Sequence, residues 1–307
     1  MNRYPKQDPK QDQKQDQKQD QKQDQKQDQK QNIEASESHS QCSQDVRELA
    51  LQCLVEPDAR TKAKDVQALH TRFLQGELSL DIVISLAVTK PIPGRPERPE
   101  LVPPLGVKKR AMNTVEGRAI LIHALAHIEF NAINLALDAL WRFPHMPIEY
   151  YSDWLLVAQE EAYHFTLLAD HLLSLGYAYG DFPAHNSLWE LAERTTDDVL
   201  IRMALVPRTM EARGLDATPA LRAKLAQAGD MAAAGILDII LRDEIGHVAI
   251  GNRWFAYLCQ QRGLDPIDSF AQLATAYRAP QLRAPFNVQA RLAAGFSQAE
   301  LDAMKIS

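Results

Sequence analysis

Two E-x-x-H sequences, Glu161-Ala-Tyr-His164 and Glu244-Ile-Gly-His247, lie in long stretches of helical period. Each is preceded by a glutamate at nearly the same distance: Glu129 is 32 residues before Glu161, and Glu211 is 33 before Glu244. On a helix, positions i and i+3 share a face, so each Glu–His pair can grip one small volume. Glu129 stands on the apolar stripe Ile122, Ala126, Ile133, Ala136 and Leu140, and Glu244 on Leu237, Ile240, Leu241 and Val248. A carboxylate aimed into such a stripe is costly unless it is protonated or balanced by a cation. This doubled pattern calls for four helices that turn four carboxylates and two imidazoles inward.

The helices can be delimited. Asn113 with Glu116 resembles a capping box and opens helix A, which Pro144 ends. Helix B starts at Pro147, where a first-turn proline is tolerated, and Gly176 is placed to stop it. Ser187 with Glu190 opens helix C, which reaches Ala212 and breaks at Gly214; a short segment, 219–227, follows. Helix D runs from Gly229-Asp230 to about Gln261. Glu129 lies 13 residues before the end of helix A and Glu161 14 after the start of helix B. At ~1.5 Å per residue an antiparallel pair puts them at one height. Gly214 and Pro219 interrupt the second hairpin, so the matching height of Glu211 and Glu244 is assumed. Arg208, one turn before Glu211, offers a competing ion pair in place of a ligand role.

Upstream, residues 6–31 repeat K-Q-D-Q without an apolar side chain, leaving nothing to bury against the entropy of ordering; residues 1–40 are expected to be a disordered low-complexity tail. Residues 41–110 read as a helical preface, with helices near 43–55, 59–75 and 80–88, followed by a proline-rich strap at 91–104 in which no helix can persist. The bundle and weaker C-terminal helices, one capped by Ser297 and Glu300, occupy 111–307. Sustained period-two alternation is absent, so the fold is expected to be all-α. A net charge of −6 without a basic stripe gives no reason to expect a nucleic-acid partner. Cys42, Cys53 and Cys259 form no C-x-x-C pair, which argues against a disulfide framework or zinc site and fits a cytoplasmic protein. No uninterrupted apolar run reaches the length of a spanning helix and no signal-peptide core is present, so no membrane is expected.

Four carboxylates and two imidazoles favour a pair of divalent ions, with iron or manganese ahead of zinc because hard oxygen donors predominate. Open coordination positions beside such metals are places for dioxygen or peroxide. Other residues have plainer readings. Glu116 is 13 residues from Glu129 and reads as a cap; His127 points nearly opposite Glu129; His123 and Tyr163 read as packing. His171, two turns beyond His164, stands on the same face and is a candidate to line an approach.

The order Glu, E-x-x-H, Glu, E-x-x-H resembles that of the ferritin-like di-iron carboxylate proteins. More closely, PGRPERPELVPP, HALAHIEFNAINLALD, EEAYHF, MEARGLDATP, RDEIGHVAIGNRWF and APFNVQARLAAGF resemble a bacterial ferritin-like family designated a domain of unknown function, over residues 49–301. The resemblance implies a ferritin-like four-helix bundle and the metal ligands Glu129, Glu161, His164, Glu211, Glu244 and His247. It also implies that the acid before each E-x-x-H glutamate supports the other motif's histidine, Asp243 holding His164 and Glu160 holding His247; the alternative is that both acids are surface charges.

The first functional expectation is an oxidoreductase with two iron ions, or a manganese/iron mixture, that activates dioxygen or peroxide and oxidises an unidentified small organic molecule. No cysteine cluster or dinucleotide fingerprint supplies electrons within the chain, so a separate electron-donor protein is expected. The alternatives are a non-catalytic iron-binding or storage protein, which the long N-terminal extension and strap disfavour, and an interaction protein with a structural metal site.

Overall fold

Most helix starts are fixed by a side chain that accepts otherwise unpaired backbone N–H groups. The computed structural model describes residues 44–104, 111–282 and 284–306. The chain divides into two units, 1–44 and 45–307. The low-complexity tail lies outside the described residues, and the account below concerns the second unit. Asp45 caps α1 (Val46–Val55), Asp58 caps α2 (Ala59–Leu74), and Thr114 caps α3 (Val115–Arg142) through the Gly117 N–H. Thr114 therefore takes the position that the sequence reading assigns to Asn113. α4 (Ile148–Ser174) begins after Pro147 and stops at Gly176, whose φ of 83° lies in the left-handed region.

The third helical column departs most from expectation. Ser187–Glu193 forms a separate short helix, α5, and Asp198 starts α6 (Val199–Leu205). A π-helical turn, Val206–Glu211, follows, and α7 (Ala212–Gln227) continues through both Gly214 and Pro219. Pro219 has no N–H for the Leu215 carbonyl four residues back, and Asn287 donates its Nδ2–H to that oxygen at 3.2 Å. A distant side chain thus repairs the break that local sequence calls for. α8 (Met231–Arg262) is capped by Asp230 and ends at Gly263; α9 (Pro266–Ala276), α10 (Val288–Ala293) and α11 (Gln298–Ile306) complete the chain. Ser297 and Glu300 form the expected reciprocal cap of α11.

The 80–88 helix does not form. Its backbone groups are engaged elsewhere: Arg47 donates to the Asp81 and Ile84 carbonyls, Asp81 N–H to Asp45, and His145 N–H to the Ile82 carbonyl. The proline strap is extended and is held at Gly94, whose N–H bonds Leu54 O at 2.8 Å and whose carbonyl accepts from the buried Lys62 ammonium at 2.9 Å. A Cβ at Gly94 would fall 2.2 Å from the Val55 carbonyl oxygen, so only glycine fits this approach.

Paired contacts give the helix directions. Along α3 and α4, Ala139 meets Tyr150 and Phe130 meets Phe165; along α7 and α8, Arg222 meets Asp238, while Arg208 just before α7 meets Asn252. Both hairpins are antiparallel. α4 and α8 are antiparallel as well, joined by Trp254 to Asp153, His247 to Glu160 and His164 to Asp243. The result is an all-α helical bundle, and among the described residues the only β pairing is two isolated bridges. One continuous apolar core spans α1 to α9, while Ala212, Leu215, Val248, Phe296 and Leu301 form a second, smaller core with the C-terminal helices. Among the described residues, α3 alone is long and apolar enough to cross a membrane, but most of its apolar stretch is buried in the bundle.

Candidate metal centre

The register of α3 and α4 brings Glu129 and Glu161 to one level, and α8 lays Glu244 and His247 across from them. All six residues of the doubled pattern are buried. The His164 Nδ1 atom lies 3.7 Å from Glu129 Oε2 and 3.5 Å from Glu161 Oε2, while His247 Nδ1 lies 3.0 Å from Glu161 Oε1. Glu161 thus stands between the two imidazoles, one oxygen to each, with the ring centres 5.8 Å apart. One donor atom each from Glu129, Glu161, His164 and Glu244 lie within 4.8 Å of one another.

The other face of each imidazole is engaged. His164 Nε2–H donates to Asp243 Oδ2 at 3.0 Å, and His247 Nε2–H donates to Glu160 Oε2 at 2.7 Å. Those contacts place the Nε2 protons, so both Nδ1 lone pairs face the carboxylates. Arg242 in turn holds Asp243, with Nε 2.7 Å from Oδ1.

Seven atoms at this centre have no hydrogen-bond partner among the described residues: Glu129 Oε2, both Glu161 oxygens, Glu211 Oε2, Glu244 Oε2, and Nδ1 of His164 and His247. Buried acceptors left in this way are expensive, and lone pairs facing carboxylates repel unless a cation lies between them. Protons are one answer. Burial first, and then the Glu161 charge, push Glu129 and Glu211 up to about 8 and Glu244 well above the usual carboxylate range. Burial disfavours both imidazolium forms, but Asp243 with Glu129 and Glu161 at His164, and Glu161 with Glu160 at His247, outweigh it and raise both histidines. Glu161 is itself held below its ordinary range because His247 and His164 overcome the effect of its burial. A metal ion satisfies the same atoms with hard oxygen and imidazole donors, and this buried Glu/His cluster can hold one.

Glu211 enters from the π turn, next to Glu161 and His247, the charges it feels most after burial. Arg208 does not pair with it. That guanidinium donates to Asn252 Oδ1 at 2.9 Å, pairs with Glu300, and lies against the Phe255, Phe270 and Phe296 rings. Three residues that the sequence reading passed over, Pro207, Gly251 and Thr209, shape the turn. Pro207 packs on Gly251, where a Cβ would come within 2.5 Å of the Pro207 Cβ, and the Thr209 hydroxyl donates to the Ala204 carbonyl at 2.8 Å. Their signals in sequence are a proline one turn before Glu211 and a glycine one turn after His247. Gly251→Ala should therefore displace the turn and cost about 1–3 kcal/mol in urea denaturation. An unchanged midpoint would show that Pro207 yields freely.

The other titratable residues are placed elsewhere. His127 accepts from the Tyr179 hydroxyl at 2.8 Å and donates to the His185 carbonyl, His123 accepts from the Gly180 N–H, and His171 pairs with the Asp230 cap of α8. Tyr163 is exposed, its ring centre 6.4 Å from that of His164.

No solved structure matches the chain. A Haemophilus influenzae (strain ATCC 51907 / DSM 11121 / KW20 / Rd) protein described as "Uncharacterized protein" is 55% identical over 214 residues, covering 67% of this chain and 74% of the relative. The family described as "Protein of unknown function (DUF455)" matches residues 55–302, nearly all of the helical unit, and the chain belongs to that family.

Proposed function

We propose that the chain is a ferritin-like di-iron carboxylate oxidoreductase, holding two iron ions or a manganese/iron mixture, that activates dioxygen or peroxide to oxidise a small organic substrate. The observation that carries this reading is a set of seven unpartnered donor atoms on six buried residues, four of which, Glu129, Glu161, His164 and Glu244, bring one atom each within 4.8 Å of one another. Glu161, with an oxygen toward each imidazole, would hold metal together with Glu129, His164, Glu211 and His247. Glu244 feels the charges of Glu161, Glu129 and Glu211 together and would contribute a further carboxylate. Such an ion pair supplies electrons and open coordination positions for oxygen chemistry. Asp243 and Glu160 keep the Nε2 protons fixed and raise the basicity of the Nδ1 lone pairs. The chain provides no second redox group in this reading, so a separate electron-donor protein completes it. The buried, unpaired Cys53 and Cys259 fit a reducing cytoplasm.

Anaerobic loading of the metal-free protein with ferrous iron, followed by metal analysis and absorption spectroscopy on exposure to oxygen, tests the reading. The expected result is saturation at about two ions per chain and a new near-ultraviolet absorption after oxygen is admitted. Saturation far above two would favour iron storage, and saturation at two with no spectral response would favour a structural site.

The histidine supports give a second, independent measurement. Asp243→Asn keeps the size of the side chain but removes the charge that strengthens His164 as a ligand. Ferrous-iron affinity should fall about 10- to 100-fold in chelator competition, with the helical circular dichroism unchanged. Asp197→Asn, on an exposed carboxylate before α6, is the control that should leave affinity where it is. Equal affinities for the two variants would remove Asp243 from the site.

A further inference from the structure

The π turn that carries Glu211 also floors a separate cavity of about 420 Å³, walled by α9, α11 and residues 278–282. Its floor is the buried pair Arg208 and Thr209, its walls include Ile267, Phe270, Ala274 and Leu282, and its mouth is formed by the exposed Thr275 and Arg278. This is the size and character of a small-molecule pocket, with apolar walls and a few polar groups at its floor and mouth. Among the described residues, three charged side chains line it. Glu300 is already committed to Arg208, to the Ser297 N–H at 2.7 Å and to the Ser297 hydroxyl at 2.8 Å. Arg208 and Glu300 cancel, leaving Arg278, whose guanidinium has no partner among the described residues.

The backbone at Arg278 is unusual as well. Its φ of 50° places an arginine in the left-handed region, where glycine or asparagine is the common choice. Backbone bonds from Arg278 N–H to Thr275 O and from Ala279 N–H to Ala274 O hold the turn in that form. A non-glycine residue in such a conformation is consistent with a use for its side chain.

We infer that this cavity binds a monocarboxylic acid with an apolar body, its carboxylate at Arg278 and its hydrocarbon portion against Phe270, Ile267 and Leu282. One unbalanced guanidinium at the mouth matches one anionic head group, and the apolar walls match a chain or ring without further charge. The inference does not depend on metal at the carboxylate cluster, so it can be tested on the metal-free protein.

The probe is decanoate, titrated by calorimetry into the full-length metal-free protein, with decanol as the neutral comparator. The expected result is saturable binding of one decanoate per chain. Arg278→Ala should weaken decanoate about tenfold and leave decanol unchanged, the loss of one charge-assisted contact. Ala274→Trp, which fills the cavity from α9, should abolish binding of both. Circular dichroism checks that this variant is folded; if it is not, the exposed Arg278→Ala variant decides alone. Absence of saturable decanoate binding overturns the inference, as does decanoate binding that ignores Arg278→Ala or persists in folded Ala274→Trp protein.

Discussion

Replacing Glu161 with alanine is expected to take the iron content of the loaded protein from about two ions per chain to one or none. Glu161 offers an oxygen to each imidazole, at 3.5 Å from His164 Nδ1 and 3.0 Å from His247 Nδ1, so its loss removes a donor from both halves of the proposed site at once. Glu244→Ala should act in the same way, because that carboxylate also faces its three counterparts. The helices should survive, since both residues contribute unpartnered polar atoms and little packing. Glu116→Ala is the matched control: it lies 13 residues from Glu129 on α3, about 20 Å along the axis, and the N-cap of that helix is Thr114. Metal analysis after anaerobic loading and desalting reads all three. Full iron content in Glu161→Ala protein would remove Glu161 from the site and with it the reading in which one carboxylate serves both halves.

The second large effect belongs to the ion pair that sets the third column against α3. Asp138 and Arg202 are both almost completely buried and meet at 2.5 Å; Arg142 adds a second pairing to the same carboxylate at 2.6 Å. Arg202 also donates to the Thr195 hydroxyl at 2.8 Å and to the Ala192 carbonyl at 2.9 Å, so the guanidinium cannot turn outward to water. Asp138→Ala leaves that charge buried without its counterion, and the expected loss is about 3–5 kcal/mol in urea denaturation. Asp138→Leu combined with Arg202→Met should cost less than the single change, because no unpaired charge remains. α6 leads directly into the π turn, so the same pair also positions Glu211 relative to Glu129. A loss under 1 kcal/mol on Asp138→Ala would mean that the pair is dispensable.

The first hairpin of the site could be read from residue spacing because its geometry is local. The distances from Glu129 to the end of α3 and from the start of α4 to Glu161 are equal in the structure, and one short connection links the helices. Both E-x-x-H pairs follow from 3.6-residue periodicity, which needs no tertiary information. The third column could not be read in this way. Gly214 and Pro219 both argue locally for a break, yet α7 runs through them because Asn287, from a segment about 70 residues later, supplies the donor that Pro219 lacks. Arg208 was an open alternative partner for Glu211, and what removes it is Glu300, 92 residues away. The 80–88 segment was misread for the same kind of reason: Asp45 and Arg47 occupy the backbone groups that a helix would have used internally.

By itself, then, the amino-acid order determined the helical class, the inward faces of α3, α4 and α8, and the pairing of a glutamate with a histidine on one face of each E-x-x-H helix. Those features arise from side-chain period and capping, interactions that span at most a few residues. Tertiary structure decided where Glu211 stands, through a π turn held by Pro207 against Gly251 and by Arg208 against Glu300. It also decided which acid supports which histidine, since the contacts of Asp243 with His164 and Glu160 with His247 exist only when α4 and α8 pack antiparallel. The physical reason is range: a helix repeats its own hydrogen bonds and shows its period in sequence, whereas an inserted π residue, a repaired proline and a crossed pair of acids depend on partners that the chain brings near only on folding.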